Sequence, residues 1–244
     1  MLIAERRLRE YAGDTEVGLS KGFSIMVVKW IRCTVRPDNR DLFSEAQSKW
    51  STICSASGFL AQHGGWDIKS ELSTACIVAG WSSIVDYERF MATLHDTVFD
   101  RSNQVATYSH IDVDVCDVVL PMAGEALDLT AGIELGGSLL RVAECSLHPH
   151  RVDHFVQAQR DVWVPGMCSF PGMLGGWFLR SRSNPRRFFV MSAWRTMEEH
   201  TSYVSNRVPQ LRAQADVAND VAELTGRLIG LEPTWSVVAQ RVQK

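Results

Sequence analysis

The sequence has no apolar run that approaches the ~18 residues required for a membrane-spanning helix. It also has no surplus of basic residues, since 25 lysines and arginines stand against 28 aspartates and glutamates. A nucleic-acid-binding domain is usually basic, overall or along one stripe. The first ten residues carry charge where a secretory signal needs an apolar core. We therefore expect a cytoplasmic protein with neither a membrane nor a nucleic-acid partner.

Motifs for several common chemistries are missing as well. The sequence contains no phosphate-binding glycine loop, no dinucleotide-binding fingerprint and no G-x-S-x-G nucleophile elbow. Its six cysteines form no C-x-x-C pair, and most of them lie in apolar stretches. This favours buried free thiols over a disulfide framework or a zinc site. Nucleotide-binding, NAD-dependent and serine-hydrolase functions therefore have no support, and we expect no metal.

A segment of the chain occurs twice. The stretch CTVRPDNRDLFSEAQ, which begins at Cys33, returns as CSLHPHRVDHFVQAQ at Cys145, with six identities at one offset of 112 positions (145 − 33). A period this long indicates a duplicated domain rather than a solenoid repeat. We therefore expect module one at residues 26–120 and module two at residues 139–244. A glycine-containing linker at residues 121–138 joins them, and a polar extension at residues 1–25 precedes them.

The hydrophobic periodicity of each module predicts the same order of elements. For module one we expect strands at Val27–Val35, Gly58–Trp66, Thr74–Trp81 and Thr107–Val115, with helices from Pro37 to about Cys54 and over Ser83–His95. For module two we expect strands at Leu140–Leu147, Met173–Arg180, Arg187–Trp194 and Thr234–Val238, and helices at Pro149–Trp163 and Thr196–Arg207, with an extra helix at Pro209–Leu228. This β-α-β-β-α-β order is the ferredoxin-like plait, an α+β fold.

Three stretches of module one carry a family resemblance. They are Lys29-Trp-Ile-Arg-Cys33, Phe59-Leu-Ala-Gln-His-Gly-Gly-Trp66 and His95-Asp…Tyr108. With the element order at residues 27–119 and 139–239, they make the chain resemble a bacterial branch of the antibiotic biosynthesis monooxygenase-like family, within the dimeric α+β-barrel superfamily. In that superfamily two plaits pair their sheets into a barrel, usually between two chains. The resemblance implies that this chain forms the barrel within itself, as a pseudo-dimer, with a further homodimer left open.

Strand alternation predicts a contact between the modules. On the first strand Ile31, Cys33 and Val35 form one apolar face, so Arg32 points the other way, towards module two. Glu144 is the equivalent residue of module two, at the same offset of 112 (144 − 32). Because a charge between two sheets needs a partner, we expect Arg32 and Glu144 to meet there. The alternative is that both charges reach solvent at the strand ends.

A histidine beside a carboxylate is the first catalytic candidate. His95 and Asp96 end the second helix of module one, whereas module two has Val208 and Pro209 at that place. Histidine titrates near neutrality, so it can act as a general base that a carboxylate orients. Module one is therefore the better candidate for an active module. The alternative is a helix-end histidine that binds free carbonyl groups.

Aromatic residues in or beside the strands of module one are candidates for substrate binding. The candidate substrate-binding residues are Trp30, His63, Trp66, Trp81, Tyr108 and His110. Glycines beside His63 and Trp66 allow close approach of a ligand to the backbone, and the aromatic rings can wall a cavity. The alternative is that the tryptophans fill a core.

A second histidine cluster, at His148, His150 and His154, has the four-residue spacing of two imidazole ligands on one helix face. No third ligand is evident, and module one has no counterpart. We expect a solvated helix start.

The resemblance implies a function. It implies an enzyme that oxygenates an apolar aromatic or polyketide-like substrate of secondary metabolism without a flavin or metal, with His95 as base and Asp96 orienting it. Alternatives are a cyclase or rearrangement enzyme in the same cavity, a haem-binding or haem-degrading protein, and a non-catalytic ligand-binding or stress module. In the haem alternative the axial ligand is His63, His95 or His110.

Overall fold

The computed structural model describes residues 25–70 and 72–240. Residues 1–24, nearly all of the predicted N-terminal extension, lie outside the described residues. Within the described ranges no helix combines the length and apolar character needed to cross a membrane.

Module one contains four strands and three helices among the described residues, with short 3-10 turns between them. They are β1 (Val27–Val35), α1 (Arg40–Ser48), β2 (Phe59–Asp67), β3 (Thr74–Trp81), α2 (Ile84–Thr93), α3 (His95–Ser102) and β4 (Tyr108–Met122). Ser83 caps α2, because its side chain accepts a hydrogen bond from the backbone N–H of Asp86. Asn103 ends α3 in the left-handed region, at φ 54°.

Module two repeats this order after a short connecting helix, α4 (Leu129–Glu134). Its elements are β5 (Leu139–Leu147), α5 (Val152–Ala158), α6 (Val164–Cys168), β6 (Met173–Ser181), β7 (Arg187–Trp194), α7 (Met197–Asn206), α8 (Val208–Ala215), β8 (Val221–Leu231) and β9 (Val237–Val238). Thr196 caps α7 as Ser83 caps α2. The helix caps, like the strands, are therefore duplicated.

The strands close into one barrel. Each module forms an antiparallel sheet, in the order β2-β3-β1-β4 for module one and β6-β7-β5-β8 for module two. The pairs β4–β6 and β8–β2 then join the two sheets at both edges. The result is an eight-stranded closed barrel of two ferredoxin-like modules with helices outside, as the sequence predicted. A closed barrel leaves no sheet edge unpaired among these eight strands.

The duplication extends to irregularities of strand pairing. The β1–β4 register shifts between Thr34 and Val35, and the β5–β8 register shifts at the matching Ser146 and Leu147. The β2–β3 and β6–β7 pairs also shift at matching places, after Phe59 and after Met173. A bulge changes the direction of the side chains that follow it on its strand. Because the bulges lie at equivalent places, equivalent residues of the two modules face the same side of their sheets.

Four details of the prediction were wrong. The predicted linker at residues 121–138 contains the end of β4 and helix α4. The predicted helix Pro209–Leu228 ends at Ala215, and the closing strand is β8 rather than Thr234–Val238. Asp216 stops the helix because it adopts φ 47°, in the left-handed region. Helix α8 is also not extra, since α3 holds the same place in module one.

Side chains of the sheets lie in two layers, as strand alternation predicted. Trp30 and Val142 belong to a buried cluster inside the barrel, between the two sheets. Cys33 and Val35 pack instead with Phe43 of α1. The matching residues of module two pack with a phenylalanine of α5: they are Cys145, Leu147 and Phe155. The barrel interior is therefore shared by both modules, whereas each helical layer belongs mainly to one module.

The C-terminal segment of module two packs on module one. A 3-10 turn at Pro233–Trp235 places the Trp235 ring 5.4 Å from Phe43 and 5.2 Å from Trp66. Strand β9 then pairs with Ala61 and Gln62 of β2. Trp235 thus closes the helical layer of module one.

Candidate active site

A cavity of about 360 Å³ lies in module one, between the outer face of the sheet and the helices. Cavities of this volume are in the range that binds small molecules. The strands supply its floor, with Ile31, Ile77 and Ala79, and the helical layer supplies aromatic walls, with Trp50 and Phe99. The lining is mainly apolar, so the few polar side chains that reach it decide its chemistry.

His95 is one of these polar side chains. It is the first residue of α3, and the chain turns out of α2 at Leu94, whose φ is −118°. His95 is 5% exposed. Its ring stacks on Phe99 at 5.9 Å between centroids, and Trp50 and Phe90 lie at 5.6 and 5.8 Å. Three aromatic rings therefore hold the imidazole in one orientation.

Asp96 lies beside His95 at the cavity wall. The Nδ1 atom of His95 is 3.0 Å from the Oδ1 atom of Asp96, and the carboxylate itself is mostly exposed. A carboxylate at this nitrogen favours the tautomer with hydrogen on Nδ1 and leaves Nε2 as the basic atom. The pair therefore has the geometry of a histidine base with an orienting carboxylate.

A chain of buried hydrogen bonds fixes the wall beside His95. The indole Nε1 of Trp50 donates to Oε1 of Gln104 at 2.9 Å, and Nε2 of Gln104 donates to Oε1 of Gln47 at 2.7 Å. All three residues line the cavity. Gln47 and Gln104 were missed at the sequence level, although Gln47 belongs to the repeat, where a shared polar residue on an apolar helix face was the available signal.

Lys29 and Gln62 on the cavity floor were missed as well. They are 5% and 4% exposed, respectively, and both line the cavity. Burial of a lysine and an amide is uncommon in a protein core. A lysine in the middle of an apolar strand was the signal that could have found Lys29.

The structure brings some of the predicted binding residues to the cavity. Tyr108, at the start of β4, lines it together with Trp81. The Trp81 ring also packs against Tyr87 at 5.1 Å and Phe90 at 5.2 Å. Trp81 therefore serves as a wall and as core.

Trp30 and Trp66 lie elsewhere, so their assignment to this cavity is corrected. Trp30 is buried inside the barrel, because it alternates with the cavity residues Lys29 and Ile31 along β1. Trp66 packs with Trp235 in the helical layer, and Arg40 covers its face at 4.0 Å. Residue type alone did not reveal which face a tryptophan occupies.

His63 and His110 are also outside the cavity lining. His63 alternates with Gln62 on β2 and is 3% exposed, and its Nδ1 is 3.1 Å from Oγ of Ser236. Burial lowers the pKa of His63 to about 4, so the ring is neutral at pH 7. His110 is exposed on β4, 3.3 Å from a carboxylate oxygen of Asp112.

Arg32 and Glu144 meet between the sheets, as strand alternation predicted. Nη1 of Arg32 donates to Oε2 of Glu144 at 2.7 Å. Arg187 pairs with the other Glu144 oxygen and lies 3.4 Å from Asp114. Burial raises the pKa of the Asp114 carboxyl, although Arg187 and Arg32 oppose this rise. The cluster ties β1 and β4 of module one to β5 and β7 of module two.

The histidine string of module two has a structural explanation. Nδ1 of His154 and the guanidinium of Arg151 each lie 2.6 Å from the buried carboxylate of Asp220. His154 thus holds the segment before β8 in place through Asp220, and it does not pair with His150 as a metal ligand. In the described part of the chain, no group of three or more His, Cys, Asp or Glu side chains could hold a metal ion.

Two antiparallel sheets, closed into one barrel and covered by helices, define a dimeric α+β barrel folded from a single chain. Residues 138–215 match the antibiotic biosynthesis monooxygenase family, and residues 27–116 match DUF4937, a domain of unknown function. The chain belongs to the antibiotic biosynthesis monooxygenase-like family of this superfamily, as a tandem duplication.

Known relatives agree with this placement. The uncharacterized protein YdbC of Bacillus subtilis (strain 168) is 33% identical over 103 residues, which cover 42% of this chain and 87% of YdbC. A candidate monooxygenase from Fusobacterium nucleatum has a TM-score of 0.71 at 10% identity, over 86% of this chain and 94% of its own. An anthrone oxidase-like protein has a TM-score of 0.67 at 16% identity, over 91% of this chain and 97% of its own. At these sequence identities the two structural similarities show a shared fold and nothing more.

Proposed function

We propose that this protein is an enzyme that oxygenates an apolar aromatic or polyketide-like compound of secondary metabolism without a bound flavin or metal. The observation that carries the proposal is the position of His95, which Asp96 orients inside a cavity walled by aromatic and aliphatic side chains. Membership in the antibiotic biosynthesis monooxygenase-like family supports the same general chemistry.

In the proposed reaction His95 accepts a proton from a ring CH₂ group that a neighbouring carbonyl acidifies, and Asp96 stabilises the resulting imidazolium. The substrate anion, delocalised as an enolate, passes an electron to O₂, and the two radicals combine as a peroxide. The peroxide then eliminates water and leaves a ketone. One CH₂ group and one O₂ thus give one C=O group and one H₂O, with the substrate as the only reductant.

The cavity suits this reaction in two further respects. Its aromatic walls match a flat, apolar substrate. They also exclude water, which would quench a carbanion by protonation. His95 and Tyr108 both line this cavity. An aromatic ring bound in the cavity would therefore lie close to both side chains.

Cyclisation or rearrangement in the same cavity is the second candidate, because it also begins with loss of an acidic proton to His95. The two reactions differ in their use of O₂. An oxygenase consumes one O₂ for each substrate, whereas a cyclase consumes none.

Haem fits the three candidate histidines poorly. His63 is enclosed between the sheets, and His110 is exposed beside Asp112. His95 reaches the cavity, but its ring is packed against three aromatic rings. His63 and His110 lie outside the cavity lining, and aromatic neighbours fix the orientation of the His95 ring. We therefore derive no step through haem.

We also place the protein in the cytoplasm. All six cysteines are free thiols, which suits a reducing compartment.

The experiment that tests the function uses anthrone, whose central CH₂ lies next to two aromatic rings and opposite a carbonyl. Purified protein is mixed with anthrone while O₂ uptake and the quinone product are followed. One O₂ consumed per quinone, faster than uncatalysed oxidation, is expected. Uptake no faster than without protein would reject anthrone oxygenation, and a new product without O₂ uptake would favour the cyclase. The absorption spectrum before substrate addition reports any haem.

A further inference from the structure

Lys29 and Gln62 face the cavity but have no part in the proton transfer proposed above. Lys29 on β1 and Gln62 on β2 both pair with Ala79 of the intervening strand β3. The three side chains therefore lie in one row on the same face of the sheet. Neighbouring strands are about 4.8 Å apart, so the Cα atoms of Lys29 and Gln62 are roughly 10 Å apart. The short side chain of Ala79 leaves space between the two longer ones.

Gln62 carries a hydrogen-bond donor that the described residues leave unused. Its amide Nε2 is buried, and no acceptor among the described residues lies within hydrogen-bonding distance. Buried polar groups nearly always have a partner, because burial removes the hydrogen bonds that water would provide. An unused donor in the wall of a cavity is accounted for if a bound molecule supplies the acceptor.

Lys29 brings a positive charge to the same floor. Its Nζ atom donates to Sδ of Met91 at 3.8 Å. Charges interact more strongly in a poorly solvated cavity than in water. An oxygen anion in the cavity would therefore be attracted to Lys29 more strongly than it would be on the protein surface.

The cavity lining holds four other titratable side chains. They are Cys33, His95, Tyr108 and Asp112. Burial raises the pKa of the Cys33 thiol well above its usual range, so the thiol is neutral. The Asp112 carboxylate is half exposed and lies near Arg32 and His110.

We propose that Lys29 and Gln62 form an oxygen-binding subsite, in which Lys29 holds an enolate or phenolate oxygen and Gln62 donates to a carbonyl oxygen of the same molecule. The proposal rests on the proposed function, since it concerns the same cavity, and it names the substrate class. The substrate is a planar aromatic ketone or quinone-like compound with one ionisable oxygen and a second oxygen acceptor. Lys29 stabilises the anion that forms when His95 removes the proton.

The test measures binding rather than turnover. The probes are 2-hydroxyanthraquinone, which forms a coloured phenolate, and anthraquinone, which has no ionisable group. Neither has the CH₂ group that the oxygenation needs, so an inactive enzyme still gives a result. We expect the wild type to lower the pKa of the bound hydroxyl, seen as phenolate absorbance at a pH where the free probe is neutral. We also expect it to bind this probe at least about tenfold more tightly than anthraquinone.

Three variants separate the subsite from general structural effects. Lys29→Met keeps the length of the side chain and should abolish both the phenolate absorbance and the preference between probes. Gln62→Leu should weaken binding of both carbonyl probes several-fold and raise the Tm of the free protein, because it removes an unused buried donor. Lys49→Met, at an exposed lysine that pairs with Glu45, is the matched control and should change neither property.

The outcomes distinguish the two proposals. Equal affinity of the wild type for the two probes, absence of binding, or a preference retained by Lys29→Met would overturn the subsite. Phenolate binding without O₂ uptake on anthrone would support the subsite and reject anthrone oxygenation. O₂ uptake on anthrone without any preference between the two probes would support anthrone oxygenation and reject the subsite.

Discussion

Module one and module two share one scaffold but differ in the helical layer over the sheet. Two polar residues of module one's cavity wall have apolar matches in module two: His95 corresponds to Val208 and Gln104 to Val217, both at an offset of 113 (208 − 95). Gln62 corresponds to Gly176, because both follow the matching register shift. Strand pairing and caps were thus retained in both copies, whereas the candidate catalytic histidine is present in only one of them.

The cation on the first strand shows the same divergence. Lys29 corresponds to Arg141 at an offset of 112 (141 − 29). Lys29 lines the cavity, whereas the Arg141 guanidinium donates to the backbone carbonyls of Val142 and Arg227. A positively charged side chain at the same position therefore lines the cavity in module one and donates to backbone carbonyl groups in module two.

The largest effect is expected from removing the proposed base, His95, which has no counterpart in module two. His95→Ala should lower kcat/KM for anthrone oxygenation about 10²–10⁴-fold, the usual contribution of a general base. Val208→Ala at the matching position of module two should leave kcat/KM within about twofold, because it removes no titratable group. Oxygen uptake measures both. Full activity in His95→Ala would eliminate His95 as the base, and a large loss in Val208→Ala would contradict the division of roles.

Arg32 and Glu144 occupy equivalent positions but have opposite charges, so the pair breaks the symmetry of the barrel interior. Glu144→Ala removes the carboxylate that lies nearest to both Arg32 and Arg187. We expect a loss of about 3 kcal/mol in the free energy of unfolding, at the lower end for a broken buried pair because Asp114 stays nearby. Urea unfolding measures it.

The control is an exposed pair that also joins distant segments. Glu125→Ala removes one of two carboxylate partners of Arg195 at the surface, and the expected loss is about 0–1 kcal/mol. Equal losses in the two variants would mean that the charges between the sheets contribute no more than surface charges.

Much of the fold could be predicted because repetition supplied a second copy of each pattern. The strands Thr74–Trp81 and Arg187–Trp194 have the predicted bounds, and alternation on β1 placed Arg32 opposite Glu144. Strand β8 was misread as helix because its residues include good helix formers, such as Ala222, Glu223 and Leu224. Pairing with β5 and β2 overrides that local preference.

The site was predicted less well than the fold. His95, Asp96, Trp81 and Tyr108 could be named because their residue types suggest chemistry or a wall. Lys29 was missed although it lies in an apolar strand, because its burial depends on helices that are distant in sequence and cover β1. Trp30 and His63 were misplaced for a related reason. The sequence does not show which face of the sheet carries the cavity, and both residues alternate with neighbours that line it.

His63 provides a comparison that depends on pH, because Trp177 stands at the matching strand position of module two. Burial lowers the pKa of His63 from 6.5 to about 4 in the folded protein. The unfolded chain therefore binds a proton that the folded one excludes. The stabilisation is complete above about pH 6.5 and is lost as the pH falls towards about 4.

His63→Leu should reduce this acid sensitivity by on the order of 2 kcal/mol across that range. The free energy of unfolding of variant and wild type, measured by urea at several pH values, gives the two slopes. His110→Leu, at an exposed histidine, is the control for replacing a histidine by leucine. Parallel slopes for wild type and His63→Leu would show that His63 does not titrate differently in the two states.

The smallest effect tests what happened to a shared glutamine when its partner changed. In module one Gln47 accepts a hydrogen bond from Gln104, whereas the matching Gln159 faces a module in which Val217 replaces that donor. Among the described residues, Oε1 of Gln159 has no partner. The same substitution should therefore have opposite effects in the two modules. Gln47→Met should lower the free energy of unfolding by about 1–3 kcal/mol, because the buried Gln104 amide then has no acceptor in place of Gln47. Gln159→Met should raise the free energy of unfolding by about 1 kcal/mol, because it removes a buried acceptor that has no donor.

Methionine suits both glutamine positions because it has the same unbranched shape. Urea unfolding of the two variants gives the signs directly, and the double variant Gln47→Met with Gln104→Met shows whether removing both partners restores stability. A loss of equal size at both positions would mean that Gln159 has retained a role of its own. Opposite signs would identify Gln159 as a remnant of the network that module one still uses to hold Trp50 beside His95.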